Sequence, residues 1–243
     1  MLLDIAGCLA TRIEDLHKPS AVPPVDIHTT SPPIKQKAYK LNPTDLAFLQ
    51  KTIDSMLEAG VIVPSSSPWA SPVFVVYRNS HDPAKAKPRK VVDYRKLNST
   101  VVDDSYPLPD MTMLFNSMEG ACYFGALDLK SGFWQVPLTA EASLKTAFTS
   151  PLGLFQYTRM PFGYKNAPSI FMRLVDQIIT RARLRHCVAA FVDDITTHGR
   201  TWDSYLSNQR AMLKALEEAN WLVTVEKIYL GYEKVEMLGH FIE

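Results

Sequence analysis

The clearest helical period in the chain begins at Pro43. Leu46, Leu49, Ile53, Met56 and Leu57 recur at three- and four-residue spacing, Asn42 stands where an N-cap belongs, and Gly60 ends the run. A second amphipathic helix is expected to open over 166–168, with Phe171, Leu174, Val175, Ile178 and Ile179 on one face. Its end carries Arg181, Arg183 and Arg185, cations that suit the negative end of a helix dipole. A third helix is predicted over 201–220, capped by Thr201 or Asp203. Elsewhere the pattern shortens to apolar runs bounded by turn formers, which is the strand signature. Such runs fill 73–77 and 89–94, joined by the polar loop NSHDPAKAKP, then 123–129, 147–157 around Pro151-Leu152-Gly153, 188–192 and 195–197. A last hairpin-like stretch covers 227–242. Hairpins mixed with helices in this order indicate an α+β fold. Ahead of residue 39, Pro19, Pro23, Pro24, Pro32 and Pro33 lie among small polar residues and predict an extended arm.

Composition narrows this picture little. A chain of 243 residues, 47% hydrophobic and 21% charged, is an ordinary globular protein of one large or two small domains. Its net charge of +1 neither shows nor excludes a nucleic-acid partner, whose footprint can be local. Cys8, Cys122 and Cys187 are far apart and lack CxxC spacing, so free thiols in a reducing, intracellular compartment are expected, with no disulfide frame or zinc site. No apolar run is long enough to span a bilayer, so no membrane partner is expected. The apolar start, 1–9, is interrupted by Asp4 and has no basic segment before it, which argues against a signal peptide.

The chemistry lies in the acids that end apolar strands. Asp128 follows YFGAL, and Asp193 and Asp194 follow 188–192 and precede Ile195-Thr196-Thr197, as if at the tip of a tight hairpin. Taken alone, the pair reads as a turn and Asp128 as a helix cap. If the two strands lie side by side, however, three carboxylates meet and repel unless cations neutralise them. Mg²⁺ fits as a hard ion that takes one or two carboxylates plus phosphate and water. Two such ions about 4 Å apart are the general arrangement for nucleotidyl transfer. Lys85, Lys87, Arg89 and Lys90 make one hairpin basic, which on charge alone reads as a solvated loop.

The residues around the acids decide between these readings. PSSSPWASPV (64–73), VVDYRKLNSTV (91–101), YPLPDM (106–111), ALDLKSGFWQ (126–135), KTAF (145–148), RMPFGYKNAPSIFMRLV (159–175), FVDD (191–194) and MLGHFI (237–242) follow one another in that order. Together they closely resemble the reverse transcriptase domain of gypsy-type LTR retrotransposons, which is similar to the retroviral polymerase. The likeness runs from about residue 33 to the end.

This resemblance implies a right-hand polymerase fold, with fingers and a palm bearing an antiparallel sheet; the sequence stops just after the primer grip, so the thumb is expected to be absent. It places an arm at 1–38, fingers at 39–102 and 136–167, and palm at 103–135 and 168–243, the last with a primer-grip hairpin. The implied function is that of an RNA-directed DNA polymerase adding deoxynucleotides to a primer 3′-hydroxyl. Asp128, Asp193 and Asp194 match the catalytic acids, and with the Leu129 carbonyl they would hold two Mg²⁺ ions, with Mn²⁺ able to substitute. Arg89, Lys90, Ser131, Gly132, Phe133 and Phe162 match nucleotide-binding positions, Phe133 being the ring that would exclude a 2′-hydroxyl. Gly163, Val192, Leu238 and Gly239 match template and primer positions. The implied partners are primed RNA or DNA template, deoxynucleoside triphosphates, and further polyprotein domains such as RNase H and integrase. The implied location is the cytoplasm or a retroelement particle. The chain departs from the family at Phe191, where tyrosine is usual, at Trp134, and in a longer basic hairpin without its tryptophan, where Arg78, Lys85 and Lys87 compete as a second phosphate contact. A non-catalytic nucleic-acid-binding remnant, or a scaffold subunit, is the competing expectation.

Overall fold

The computed structural model describes residues 8–11, 15, 20–77 and 86–242. The expectations for the first seven residues, for Arg78 and for Lys85 lie outside them. The elements run β1 (Leu9–Ala10), α1 (Pro43–Glu58), β2 (Ile62–Pro64), β3 (Ser71–Tyr77), β4 (Pro88–Val92), α2 (Arg95–Asn98) and α3 (Met111–Ser117). They continue with β5 (Tyr123–Asp128), α4 (Ala140–Lys145), β6 (Phe148–Ser150), β7 (Gly153–Tyr157), α5 (Ala167–Arg181), β8 (Val188–Phe191) and β9 (Asp194–Gly199). The last are α6 (Trp202–Glu218), β10 (Val223–Thr224), β11 (Tyr229–Tyr232), β12 (Val235–Met237) and β13 (His240–Ile242). The chain divides into two compact units, one of residues 1–22, 104–135 and 168–243, the other of 23–103 and 136–167.

The second unit is built on a five-stranded sheet in the order β2-β7-β6-β3-β4. Helix α1 starts as its sequence predicts: the Asn42 side chain accepts the Asp45 N–H at 2.8 Å, and Leu49, Ile53 and Met56 are buried. The proline-rich stretch is extended but not a free arm, since Val25, Thr29 and Lys35 form bridges to Leu138, Val101 and Ala70, and Ile27 is fully buried. Strand alternation separates two neighbouring basic residues of β4. Arg89 is exposed, whereas Lys90 turns inward to donate to the Tyr157 hydroxyl at 2.7 Å, over the rings of Phe148 and Tyr157.

The first unit is built on a four-stranded sheet in the order β11-β5-β9-β8. All three of its pairings are antiparallel. Helix α6 packs on β9 and β5 behind a reciprocal cap between Thr201 and Ser204. It lies so close that a Cβ at Gly199 would come within 2.5 Å of the Tyr205 backbone nitrogen, so glycine is required there. Phe171 of α5 stacks on Trp221, with ring centroids 5.0 Å apart, and both are fully buried. The stretch 227–242 is not the one hairpin that its pattern predicts: β11 joins the central sheet, while β12 and β13 form a separate two-stranded hairpin. Val235 and Met237 seat that hairpin on Met118, Phe124 and Ala189.

Desolvation pushes the Lys90 pKa down from 10.5 to about 7, a cost that the two rings partly offset. Between those values the unfolded chain holds the proton more firmly, so stability rises with pH across that window. Replacing Lys90 with Met should therefore flatten the pH dependence, by at most about 1.4 kcal/mol per pH unit. Urea denaturation of both proteins from pH 7 to 9 checks this.

Candidate active site

The site is assembled at one end of the four-stranded sheet of the first unit. Strand β5 runs antiparallel to β9 with Asp128 directly opposite Asp194, and β8 closes on β9 with Phe191 opposite Asp194. Val192 and Asp193 are thus the two residues of a tight hairpin turn. The turn forces Val192 into the left-handed region at φ 51°, an uncommon conformation for a β-branched residue, and its N–H faces the Met172 sulfur at 2.9 Å. The Asp193 carbonyl accepts the Leu129 N–H at 3.2 Å, which ties the hairpin tip to the end of β5. All three acids therefore share one end of one sheet. The helix-cap alternative for Asp128 is ruled out, because its carboxylate oxygens accept from Thr224 and Lys227 and not from the N–H groups of a helix.

The carboxylates sit in different surroundings. The Asp193 Oδ1 is buried and has no hydrogen-bond partner. It lies against Gly132, where any Cβ would collide with it, so the glycine opens the space the acid occupies. Burial, then the Asp128 and Asp194 charges, push the Asp193 pKa up to about 6, while Lys227 acts in the opposite direction. Asp194, more exposed, is raised by its partial desolvation and then by the Asp128 charge, again against Lys227. Asp128 has partners on both oxygens: Thr224 Oγ1 donates to Oδ1 at 2.8 Å and Lys227 Nζ to Oδ2 at 2.7 Å. Among the described residues, no three or more His, Cys, Asp or Glu side chains are arranged as they stand to hold a metal ion. The backbones converge, and Asp128 is spoken for. The donor set still fits a hard divalent cation, since it is all oxygen and includes a buried carboxylate oxygen that nothing else satisfies.

The remaining predicted positions are distributed as follows. In the first unit, Ser131 adopts φ 47° ahead of a 3₁₀ turn over Gly132–Gln135. Phe133 in that turn is buried, edge-on to Phe171 at 5.5 Å. Leu238 and Gly239 both take positive φ, 53° and 78°, in the turn between β12 and β13. They border a cavity of about 460 Å³ that Asp194, Tyr229, Tyr232 and Phe241 also line. In the second unit Arg89 and Phe162 are exposed, and Gly163 at φ 88° has its carbonyl held by the Asn98 side chain at 2.8 Å. Lys90 requires correction: its side-chain nitrogen is engaged by Tyr157 on the inner side of the strand, which does not fit the nucleotide contact expected of it. Sequence reasoning missed Thr224 and Lys227, whose stretch VTVEKIYL carries no motif by which a partner of Asp128 could be recognised.

Comparison with known proteins accounts for this arrangement. Residues 79–242 match the family model described as reverse transcriptase (RNA-dependent DNA polymerase). The chain belongs to the reverse transcriptase family. It is 35% identical over 213 residues, 88% of its length, to the retrovirus-related Pol polyprotein from transposon opus of Drosophila melanogaster. It is 34% identical over 212 residues, 86% of its length, to that from transposon gypsy of the same organism. It is also 36% identical over 206 residues, 85% of its length, to the enzymatic polyprotein of figwort mosaic virus. The chain spans 21%, 20% and 30% of those relatives, so it corresponds to a minor part of each. A foamy viral protease-reverse transcriptase solved with an RNA/DNA hybrid superimposes with a TM-score of 0.88 at 26% identity, over 99% of this chain and 32% of that one. The α+β architecture is therefore that of the polymerase fingers and palm. Reverse transcriptases as a family use divalent metal ions, and no described helix here is long and apolar enough to cross a membrane.

A carboxylate with one oxygen buried and unpartnered, beside two other carboxylates, destabilises the fold through its charge. Asp193→Asn is therefore expected to raise stability by about 1–2 kcal/mol in EDTA. Thermal unfolding of both proteins in chelator measures it.

Proposed function

We propose that this chain is the polymerase core of a retroelement reverse transcriptase, extending a primer 3′-hydroxyl with deoxynucleotides on an RNA or DNA template. The observation that carries the reading is the meeting of Asp128, Asp193 and Asp194 at one sheet end, with the Asp193 Oδ1 buried and unsatisfied. Asp128 and Asp193, with the Leu129 carbonyl and Asp194 beside them, are the residues that would hold two Mg²⁺ ions, or Mn²⁺ in their place. Bound there, such ions supply an acidified primer hydroxyl and charge neutralisation on the triphosphate and its leaving group.

The chain's own groups do the rest. Aspartate suits the task because its short side chain ties a donor oxygen closely to the backbone, and both β5 and the β8–β9 turn are pinned by sheet hydrogen bonds. The Ser131 and Gly132 backbone lies beside Asp193 and is assigned to the nucleotide. The buried edge-on packing against Phe171 holds the Phe133 ring in one orientation, as a ring that excludes a 2′-hydroxyl must be held. Leu238 and Gly239 form a tight turn whose β-hairpin is anchored in the core, and they are assigned with Val192 to the primer. In the second unit, the exposed guanidinium of Arg89 is assigned to phosphate, which its planar fork fits, and Phe162 and Gly163 to the nucleotide and template. We assign residues 1–22, 104–135 and 168–243 to the palm, and 23–103 with 136–167 to the fingers.

One observation favours a second reading, a non-catalytic subunit that binds nucleic acid: both oxygens of Asp128 are already engaged by protein. Primer extension separates the two. The wild-type chain should extend a primer on an RNA template with Mg²⁺, and Asp128→Asn should lower the rate on the order of 10³-fold, the several kcal/mol that a lost metal ligand removes. Phe133→Ala should relax the preference for deoxy- over ribonucleotides. Binding of primer–template without extension at any Mg²⁺ or Mn²⁺ concentration would establish the second reading.

A further inference from the structure

Thr224 and Lys227 reach Asp128 from a segment that the sheet holds in place. Val223 bridges to Leu129, the residue after Asp128, and also pairs with Leu9 of β1, so β10 lies alongside the end of β5. A single 3₁₀ turn over Val225–Lys227 then brings the lysine back over the acid. Thr224 is buried, and its hydroxyl fixes one Asp128 oxygen. The lysine differs: its side chain is 60% exposed while that of Asp128 is 23% exposed, so it is a long flexible arm reaching in from solvent. It places a positive charge where three carboxylates crowd together and where, among the described residues, Asp193 forms no salt bridge of its own.

We propose that Lys227 is a tethered counter-cation that holds Asp128 in the metal-free protein and must release it before the carboxylate can be given to a divalent ion, so that Lys227 sets the apparent metal affinity of the site. This rests on the assignment of Asp128 as a metal ligand. It makes Lys227 a positioning residue that acts through Asp128. The geometry accounts for two facts at once. The three acids can fold together without a metal because one of them is already neutralised. The same ion pair also occupies an Asp128 oxygen that a divalent ion would need. A latch that is easily opened fits the exposed side chain, which regains both its water and its rotamer freedom on leaving.

The consequence is a measurable competition. When the binding-competent state is only a fraction of the population, apparent affinity falls by that fraction; a latch closed in about nine molecules of ten weakens it about tenfold. The test is Mn²⁺ binding to the full chain without nucleotide or primer, followed by the electron paramagnetic resonance signal of free Mn²⁺, for wild type, Lys227→Gln, Lys227→Arg and Lys227→Met. Both neutral variants should bind Mn²⁺ about tenfold more tightly than wild type, and the arginine variant, which keeps the charge, should not. In EDTA the neutral variants should melt below wild type, and saturating Mn²⁺ should close that gap. Unchanged or weaker Mn²⁺ binding in both neutral variants, with binding still lost in Asp128→Asn, overturns the latch and leaves the active-site assignment standing. Mn²⁺ binding that is insensitive to Asp128→Asn, in the wild type and in the Lys227→Gln background alike, overturns the latch together with that assignment.

Discussion

The pairing of β5 with β9 is the constraint on which the rest of the molecule turns. It sets Asp128 opposite Asp194 and, through the two-residue turn from β8, brings Asp193 alongside. Concentrating three acids at one sheet end is electrostatically unfavourable, and the neighbouring structure is arranged around that fact. Gly132 leaves room for the Asp193 carboxylate, Val192 accepts a left-handed backbone so that the turn can close, and Thr224 and Lys227 satisfy Asp128. A fold selected for stability alone would place none of these groups together.

The cost is met by unusually firm surroundings. Strands β5 and β9 lie in the interior of their sheet, with α6 packed so tightly behind them that Gly199 admits no side chain. Phe171, one face of α5, stacks on Trp221 on one side and meets Phe133 on the other, so a single aromatic column links the helix to the turn that follows Asp128. Rigid support of this kind lets a site retain an unsatisfied carboxylate oxygen and a strained valine without rearranging to relieve them. The β12–β13 hairpin is held by the same core, through Val235 and Met237.

Much of this was legible in the linear pattern. The cap at Asn42, the apolar face of α5 and the apolar runs that lead into the three acids each depend on residues close in sequence, where local propensity and periodicity speak directly. The short helices α3 and α4 left no comparable trace, since a helix of seven or six residues shows too few turns for a period to emerge. Their Asp110 and Thr139 caps are visible only in hindsight. At 227–242 the alternation was readable but the partners were not: β11 pairs with β5, about a hundred residues earlier, and no local signal specifies that.

The sequence by itself determined the family and the fold class and pointed to the three acids, because apolar runs leading into aspartate and a string of ordered motifs survive without coordinates. Tertiary structure alone decided what those acids experience. Whether Arg89 or Lys90 faces solvent follows from strand register, and whether Asp128 is open or held by Lys227 follows from a turn 99 residues away along the chain. Charge interactions depend on distance through space, and only the folded chain sets that distance.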